Sequence, residues 1–350
     1  MRLLIGGGGT GGHLYPALAV ARALRAEDPD AAVLLVGRTG GPEERLVPAA
    51  GFALETVGIR GLDRDAPWKN VALPFLVPAS LFSALRIVDR FRPDVVLGMG
   101  GYVMAPAVAA ARMRHIPYVL HEKDVRPGLA TRMFARGAAA VCTTLPGTEG
   151  RIDNARVVLT GVPLREGFEP RTPAVPARRL LVTGGSQGAR NLNHAVWSVL
   201  DELCNRFEEV VHVAGAQGAA GVAQHARAGY RGMTFADDMA PLMASADLIV
   251  SRAGVGTIAE ATAVGLPMVL VPGTFGGGHQ EENAQAMIVA GAAVRIADAD
   301  LSGASLVATM AGLDGTRLRS MAAASRASGR RDAAENVLRV ILDVAGEHRS

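Results

Sequence analysis

Cysteine, aromatic residues and long apolar runs are all scarce in this 350-residue sequence. The two cysteines, Cys142 and Cys204, lie far apart in apolar surroundings, a pattern that argues against a disulfide framework or a zinc site with closely spaced ligands. No stretch is long and uncharged enough for a membrane-spanning helix, and the first residues lack the apolar centre of a signal peptide. We therefore expect a cytoplasmic protein with buried free thiols.

The excess of positive charge is also small, because the sequence has 36 Lys and Arg residues and 33 Asp and Glu residues, for a net charge of +3. A dedicated nucleic-acid binder needs clustered positive charge or aromatic residues interleaved with basic ones, and neither is present. Nucleic acid is therefore not an expected partner. Hydrophobic residues, in contrast, make up 49% of the chain, which is enough for large buried cores.

Short apolar runs alternate with amphipathic helical patterns along the chain. In the first half, this alternation predicts strands at 3–5, 32–36, 95–97, 118–120 and 139–142, and helices at 16–25, 43–50, 76–91 and 106–114. In the second half it predicts strands at 180–183, 210–213, 248–251 and 268–271, and a helix at 191–203. Alternation of this kind indicates an α/β chain with parallel sheets covered by helices on both faces.

A stretch rich in Pro and Arg, residues 165–179, separates the two halves and shows no periodicity, as expected of a linker. We predict a first domain over residues 1–162 and a second over 163–334. The last helix, within 335–350, has apolar residues at helical spacing, and we expect it to pack back on the first domain.

The first strand runs into a glycine-rich turn that satisfies G-x-G-x-x-G at Gly6, Gly8 and Gly11. A helix that begins after such a turn presents unpaired N–H groups and a partial positive charge, which suit a phosphate. The same pattern marks dinucleotide-binding domains, but the second predicted strand ends without the acidic residue that binds the ribose of NAD. Arg38 at that position could bind the 2′-phosphate of NADP, so an NADP-dependent oxidoreductase stays open. A tight turn that binds no ligand is a further alternative.

The second half contains another strand–glycine–helix junction, SRAGVGTIAE at residues 251–260. Gly254 and Gly256 permit close approach of a ligand, Thr257 carries a hydroxyl, and the Glu260 carboxylate can accept from both hydroxyls of a ribose. A further glycine loop leads to His279 and Gln280 at a predicted helix start. These groups favour a nucleoside-diphosphate site, and no Walker P-loop for ATP hydrolysis is present.

Six motifs occur in the order found in one known family: GGTGGH at 8–13, GMGGY at 98–102, HEKD at 121–124, GGSQGA at 184–189, the segment 251–260, and HQEENA at 279–284. On these motifs the sequence resembles the MurG family of bacterial peptidoglycan N-acetylglucosaminyltransferases. The resemblance implies a GT-B fold, two Rossmann-like doubly wound domains facing across a cleft. It also implies inverting transfer of GlcNAc from UDP-GlcNAc to the C4 hydroxyl of lipid I, which forms lipid II in peptidoglycan synthesis and serves cell shape and division.

The resemblance also assigns residues to substrates. The UDP-GlcNAc site would comprise Thr10, Gly11, Gly12, Asp124, Arg165, Ser186, Ala236, Val255, Gly256, Thr257, Ile258, Ala259, Glu260 and Gln280. Within it Thr257 would lie against the diphosphate, Glu260 against the ribose, and the backbone of Ala236 against the uracil. The first glycine turn, with Gly9, would face the diphosphate of the acceptor. Tyr102, which follows two glycines, would contact the acceptor sugar or cap the strand end. Asp124 and Val162 stand where the family usually or often has Asn.

A base must deprotonate the acceptor hydroxyl, and His13 is the leading candidate because an imidazole titrates near working pH. Two alternatives to a base stay open for His13: it could be a cationic ligand of phosphate, or a purely structural histidine at a helix start. Glu122 is the rival base, although it would also serve as a buried partner for the nearby turn. We expect His121 to order the loop rather than to react.

No cofactor and no protein-bound metal are expected, although a divalent cation would help the diphosphate leave. Three Asp-x-Asp triplets, at 28–30, 63–65 and 298–300, are read as solvated loops because none follows a convincing buried strand beside the glycine motifs.

Residues 68–82, WKNVALPFLVPASLF, are unusually apolar and are followed by basic residues. They predict a peripheral contact with the inner face of the cell membrane. In this contact Trp68, Phe75, Leu76 and Phe82 enter the headgroups, while the basic side chains meet anionic lipid: Lys69, Arg86, Arg112 and Arg114. An ordinary core helix is the alternative. Proteins of cell-wall synthesis are candidate partners.

Three other functions stay open from the residues alone. They are a related transferase with another lipid or small-molecule acceptor, the NADP oxidoreductase, and a UDP-sugar-binding subunit without catalysis. The oxidoreductase leaves segment 251–260 and HQEENA without a role.

Overall fold

The computed structural model describes residues 1–61, 67–154, 156–185, 188–274 and 278–349. Contacts divide it into two compact units, Met1–Arg165 together with the chain from Asp332 onward, and Glu166–Arg331. The sequence predicts divisions after residues 162 and 334, whereas the structure has them after Arg165 and Arg331.

The first unit is built on a sheet of seven parallel strands in the order β3-β2-β1-β4-β5-β6-β7. The strands are β1 Arg2–Gly6, β2 Ala32–Arg38, β3 Ala53–Val57, β4 Val95–Gly98, β5 Tyr118–Glu122, β6 Ala140–Thr143 and β7 Val157–Leu159. The helices between them are α1 Gly11–Glu27, α2 Glu43–Ala49, α3 Leu73–Phe91, α4 Ala105–Met113 and α5 Leu129–Phe134.

The second unit repeats the plan with six parallel strands in the order β10-β9-β8-β11-β12-β13. These strands are β8 Arg179–Thr183, β9 Glu209–Val213, β10 Tyr230–Met233, β11 Leu248–Ser251, β12 Met268–Leu270 and β13 Ala293–Arg295. The helices are α6 Arg190–Ser198, α7 Leu200–Arg206, α8 Ala219–Gln224, α9 Ala240–Ser245, α10 Val255–Val264, α11 His279–Val289, α12 Gly303–Ala311 and α13 Gly315–Ser328. The α/β prediction of two doubly wound domains is confirmed.

The final helix, α14 Ala333–Arg349, belongs to the first unit. Its buried side chains Val337, Leu338 and Ile341 join the same core as Leu14 and Leu18 of α1. Burial of a Leu or Ile side chain contributes about 1.5–3 kcal/mol. The apolar stripe of α14 is therefore covered by α1 and the face of the sheet beneath it.

All nine predicted strands are present, and the four that the sequence pattern missed (β3, β7, β10 and β13) are the edge strands of the two sheets. Strands β3 (Ala53–Val57) and β10 (Tyr230–Met233) are partly exposed and lack the continuous apolar run that marks a central parallel strand, whereas β7 and β13 are only three residues long. The predicted helix at 191–203 is two helices, α6 and α7, interrupted at Val199.

The stretch predicted as a linker is anchored to the second unit rather than free. Buried Asp247 accepts hydrogen bonds from the backbone N–H groups of Ala174 (2.8 Å), Arg178 and Arg179 (both 3.0 Å), and from Nη2 of Arg171 (2.6 Å). Burial alone would raise the pKa of Asp247, but these hydrogen bonds outweigh it and lower the pKa below its usual value.

Candidate functional site

The glycine turn of the first unit lies at the carboxyl edge of its sheet, where the strand order reverses between β1 and β4. Open parallel sheets bind ligands at this position because the loops from the two neighbouring strands diverge there. The turn at Gly7–Thr10 follows β1, and Met99–Gly101 follows β4. Helix α1 begins at Gly11, earlier than the predicted start at residue 16, so that His13 lies in its first turn.

The His13 imidazole is held between a hydroxyl and a glycine backbone. Thr10 Oγ1 lies 3.2 Å from His13 Nδ1. A Cβ at Gly100 would lie 3.2 Å from His13 Cδ2, and one at Gly101 would lie 3.2 Å from His13 Cε1. The glycines of GMGGY therefore leave the space that the imidazole occupies.

The surroundings of the His13 imidazole favour its uncharged form. Burial of the imidazole, then the positive charge of Lys123 and the proximity of His121, lower the pKa of His13 to about 3. Uncharged, the ring keeps one nitrogen available to accept a proton or a hydrogen bond. This state suits a base better than a cationic phosphate ligand.

Glu43, the first residue of α2, lies directly beneath the glycine turn and is not among the predicted site residues. Its side chain is fully buried, and Oε1 accepts a hydrogen bond from the N–H of Gly9. Side chains at Gly8, Gly37 and Gly41 would collide with it. The only sequence signal is an acidic residue at a helix start next to glycines, which is common at any helix N-terminus.

Tyr102 opens a 3₁₀-helical turn, Tyr102–Met104, directly after Gly101. Its hydroxyl would lie 3.4 Å from a Cβ at Gly9. The two residues predicted to contact the acceptor are thus neighbours at the same edge of the sheet.

Glu122, predicted as a rival base, ends β5, and both of its carboxylate oxygens are used within the loop that follows. Oε1 accepts from the N–H of Asp124 at 3.1 Å, and Oε2 accepts from the N–H of Gly128 at 2.9 Å. Burial raises the pKa of Glu122 against these hydrogen bonds. This geometry is typical of a residue that orders a loop.

His121 is fully enclosed, and its Nε2 lies 3.1 Å from the carbonyl oxygen of Gly161. Burial lowers its pKa to about 4. Its surroundings agree with the predicted structural role.

Lys123 had no predicted role, although it stands within HEKD. A Cβ at Gly12 would lie 3.3 Å from Lys123 Nζ, so the ammonium group lies beside the start of α1. A cation next to a helix N-terminus strengthens an anion-binding surface. Asp124, whose side chain is predicted to contact the donor sugar, is the next residue of the same loop.

Arg165, a predicted donor contact, is the last residue of the first unit before the chain enters the second. Its guanidinium carbon lies 4.4 Å from the centroid of the Tyr15 ring, a cation–π distance. Tyr15 is on α1, two residues after His13, so Arg165 is held near the same helix start.

In the second unit the predicted donor residues also lie at one carboxyl edge. Segment 255–260 forms the first turns of α10 after β11, Gln280 is the second residue of α11, and Ala236 follows β10. Val255 and Ile258 are buried in the core, so they offer a ligand only their backbone. Gly256, Thr257, Ala259 and Glu260 are each partly exposed.

Gln280 contributes to the loop before its helix, because its Oε1 accepts from the N–H of Gly273 at 2.8 Å. Asn283, from the same HQEENA motif, donates to the carbonyl of Ala253 at 3.3 Å. Both side chains thus hold backbone near the predicted diphosphate site. Ser186 lies outside the described residues.

A buried polar network supports the start of α6, which follows the GGSQGA turn. Asn193 donates to the carbonyl of Ala214 at 2.8 Å, and its Oδ1 lies 3.0 Å from Nε2 of His212. Nδ1 of His212 lies 3.1 Å from the Tyr230 hydroxyl, which accepts from the indole N–H of Trp197 at 2.9 Å. Burial lowers the pKa of His212 to about 4.

The reading of residues 298–300 as a solvated loop is wrong for Asp298. Its side chain is 14% exposed and pairs with the buried guanidinium of Arg252, Oδ1 to Nη1 at 2.6 Å. The pattern missed this pair because the cation stands 46 residues earlier in the chain.

Of the other two acidic triplets, the structure describes the one at 28–30. Asp28 pairs with the N-terminal amine, and residues 63–65 lie outside the described part. Among the described residues, no three His, Cys, Asp or Glu side chains are grouped to hold a metal ion.

An exposed apolar surface (Trp68, Val71, Phe75, Val77 and Phe82) covers the 3₁₀ helix Pro67–Ala72 and the first part of α3. Trp68 is 71% and Phe75 79% exposed, which rules out the alternative of an ordinary core helix for these residues. Arg86 stacks on Phe82 at 4.3 Å, and Arg114 pairs with Asp89 at 2.7 Å. No helix in the described part of the chain has the length and apolar character needed to cross a membrane.

Comparison with known proteins gives consistent matches along the chain. Residues 3–143 match the glycosyltransferase family 28 N-terminal domain, and residues 179–337 match the glycosyltransferase family 28 C-terminal domain. The crystal structure of Acinetobacter baumannii MurG superimposes with a TM-score of 0.78 at 28% identity, covering 98% of this chain and 99% of that one.

Curated relatives match over almost their whole length. The UDP-N-acetylglucosamine–N-acetylmuramyl-(pentapeptide) pyrophosphoryl-undecaprenol N-acetylglucosamine transferase of Nocardioides sp. is 40% identical, with 98% of both chains covered. The protein of the same name from Desulforudis audaxviator is 39% identical, with 99% of both chains covered.

Proposed function

Because the chain belongs to the family of UDP-N-acetylglucosamine–N-acetylmuramyl-(pentapeptide) pyrophosphoryl-undecaprenol N-acetylglucosamine transferases, we propose that it is the hexosyltransferase that converts lipid I into lipid II. In this reaction the C4 hydroxyl oxygen of the muramyl sugar bonds to C1 of GlcNAc. The bond from C1 to the β-phosphate oxygen breaks, UDP leaves, and the hydroxyl proton passes to a base. The fold is the GT-B fold of such transferases.

The observation that carries the assignment of roles is the placement of His13. A neutral imidazole stands in the first turn of α1, beside a glycine turn and the Lys123 ammonium group. The N–H groups of a first helical turn have no partner within the helix, so this surface suits the diphosphate of a lipid-linked acceptor. We assign His13 as the base that receives the hydroxyl proton.

The low pKa of His13 fits this role only once the acceptor is bound. A base with a pKa of about 3 accepts a proton poorly at neutral pH. A diphosphate near the imidazole favours its charged form and so raises that pKa toward the working range. Substrate binding would thus activate the base, while Glu122 orders the loop that carries Lys123.

The second unit is proposed to bind UDP-GlcNAc. The first turn of α10 supplies backbone N–H groups and the Thr257 hydroxyl to the diphosphate, and Glu260 accepts from the ribose. Ala236 uses its backbone for the uracil. Charge developing on the leaving UDP is stabilised by these preorganised donors and by Arg165.

We propose that the protein works without a bound metal, as a peripheral protein on the cytoplasmic face of the cell membrane. Trp68 and Phe75, with the rest of the exposed apolar surface, would enter the headgroup region. If activity were abolished by a chelator and restored by a divalent cation, the proposal that the protein works without a bound metal would be overturned.

Transfer of labelled GlcNAc from UDP-GlcNAc to a short-chain lipid I analogue tests the activity directly. We expect a labelled lipid-linked disaccharide and stoichiometric release of UDP. Protection from heat by UDP but not by NADP separates this function from the oxidoreductase. Bound UDP-GlcNAc without transfer to this acceptor would point to another acceptor, with Asp124 as the first residue to examine.

A further inference from the structure

Arg252, in the turn between β11 and α10, connects the carboxyl ends of four neighbouring strands in the second sheet. Its N–H donates to the carbonyl of Thr183 at the end of β8. Its Nη1 donates to the carbonyl of Val271, after β12, at 3.1 Å and to Oδ1 of Asp298, after β13, at 2.6 Å. One side chain therefore ties together the loops that follow β11, β12 and β13.

Asp298 extends the connection to the glycine turn after β8. Its second oxygen, Oδ2, lies 3.4 Å from Nδ2 of Asn191, the second residue of α6. The Arg252 side chain is 9% and the Asp298 side chain 14% exposed, so both charges are largely removed from water. Charges in such an environment persist only when they are paired, so each residue depends on the other.

The segment held in this way leads directly into the proposed diphosphate site. Arg252 and Ala253 precede Gly254, the residue before α10, and Thr257 lies in the first turn of that helix. Asn283 of α11 fixes the same segment through the carbonyl of Ala253. A displacement of the turn would therefore move the backbone N–H groups that meet the donor phosphates.

We propose that Arg252 and Asp298 are positioning residues for the sugar-nucleotide donor, a role that rests on the proposed function. Neither needs to touch UDP-GlcNAc. Together they hold the turn before α10 at the distance from α6 that the diphosphate requires, because preorganised donors bind an anion without the cost of rearranging at each binding event. Within the acidic triplet at 298–300, Asp298 thus serves as the partner of an arginine.

Replacing Asp298 by Asn tests the pair, and Asp300→Asn is its matched control. Both substitutions remove one negative charge from the same short segment, but Asp300 is exposed. For Asp298→Asn we expect roughly tenfold weaker binding of UDP-GlcNAc and a KM for the donor raised by the same factor, since small misplacements of binding groups cost about this much or more. The KM for the lipid acceptor should stay unchanged, and Asp300→Asn should behave like the unsubstituted chain.

A double replacement separates positioning from stability. Arg252→Met with Asp298→Leu removes both buried charges, and such exchanges are often neutral or favourable for folding. We expect the melting temperature to recover relative to Asp298→Asn while donor affinity stays weak. Asp298→Glu, which keeps the charge, should restore part of the affinity.

Calorimetry measures the affinity for UDP-GlcNAc separately from transfer, so the positioning role of the pair and the proposed transferase activity can fail independently. If the unsubstituted chain binds the donor but transfers no GlcNAc to lipid I, the proposed acceptor is wrong and the affinities of the variants still test the pair. Unchanged donor affinity in Asp298→Asn, or recovery of both stability and affinity in the double variant, would overturn the positioning role.

Discussion

The imidazole of His13 lies so close to Gly101 that a Cβ at residue 101 would be 3.2 Å from His13 Cε1. Gly101 also has a φ of 68° and a ψ of 175°, a combination open almost only to glycine. This one contact accounts for a glycine of GMGGY and the histidine of GGTGGH together, because Gly101 leaves room for the His13 imidazole.

We predict that Gly101→Ala lowers turnover by roughly 100-fold, because the displaced imidazole no longer reaches the acceptor hydroxyl. Steady-state assays with both substrates would measure this. Affinity for UDP-GlcNAc should be retained, because the proposed donor residues of the second unit are untouched.

Gly40→Ala is the control for backbone strain. Gly40 also has a positive φ, 71°, but a Cβ there meets nothing within 4 Å. We expect this variant to lose some stability and to keep its turnover. Equal loss of turnover in both variants would show that strain, not the displacement of His13, is responsible.

Glu43→Ala should raise the KM for the lipid acceptor more than the KM for the donor. The buried carboxylate accepts from the N–H of Gly9, and its loss leaves that group unsatisfied and a cavity beneath the turn, at a cost of about 1–3 kcal/mol in stability. The KM for each substrate and the free energy of unfolding are the measurements. Glu44→Ala, which removes an exposed carboxylate one residue later, should leave both KM values unchanged.

Stability should fall as the pH is lowered from about 6.5 toward 4. Burial lowers the pKa values of His13 to about 3 and of His121 and His212 to about 4, from an ordinary value of 6.5. Between these values the unfolded chain binds protons that the folded chain does not, so the free energy of unfolding rises with pH in this window and is lost as pH falls.

Each of these histidines adds at most about 1.4 kcal/mol per pH unit to that slope. His212→Gln should therefore reduce the pH dependence of the free energy of unfolding, measured in urea at pH 5 and pH 7. His348→Gln, at an exposed position near the end of α14, is the control. An unaltered slope in His212→Gln would contradict the assignment of a neutral buried imidazole.

Phe75→Ser combined with Trp68→Ser should reduce binding to vesicles that contain anionic lipid, because two aromatic side chains are lost from the exposed apolar surface. Co-sedimentation measures this. Val289→Ser, which changes a 78% exposed side chain of the second unit, is the matched control. Equal binding by all variants would exclude this surface as the membrane contact.

The central strands were predictable because burial on both faces requires continuous apolar runs, as in β1 and β11. The edge strands were not, because a strand such as β10 (Tyr230–Met233) needs one ordered neighbour and little burial. The interruption at Val199 between α6 and α7 also has no Gly or Pro to mark it.

For the site, glycine turns and the order of motifs were sufficient to locate both strand-to-helix junctions. The supporting residues could not be found in this way. Glu43 contacts Gly9 across 34 residues, and Asp298 contacts Arg252 across 46. Such pairs form only after the strands are arranged in the sheet, so no local spacing reveals them.

Comparison of the unsubstituted chain with His13→Ala tests both the transfer of GlcNAc and the role of His13 as the base. The measurement is the rate of GlcNAc transfer from UDP-GlcNAc to a short-chain lipid I analogue, together with the affinity for UDP-GlcNAc. We predict transfer by the unsubstituted chain and a loss of about 100-fold or more in turnover for His13→Ala, with donor affinity unchanged. Transfer by His13→Ala at an undiminished rate would contradict the assignment of His13 as the base, and absence of transfer by the unsubstituted chain would contradict the proposed function.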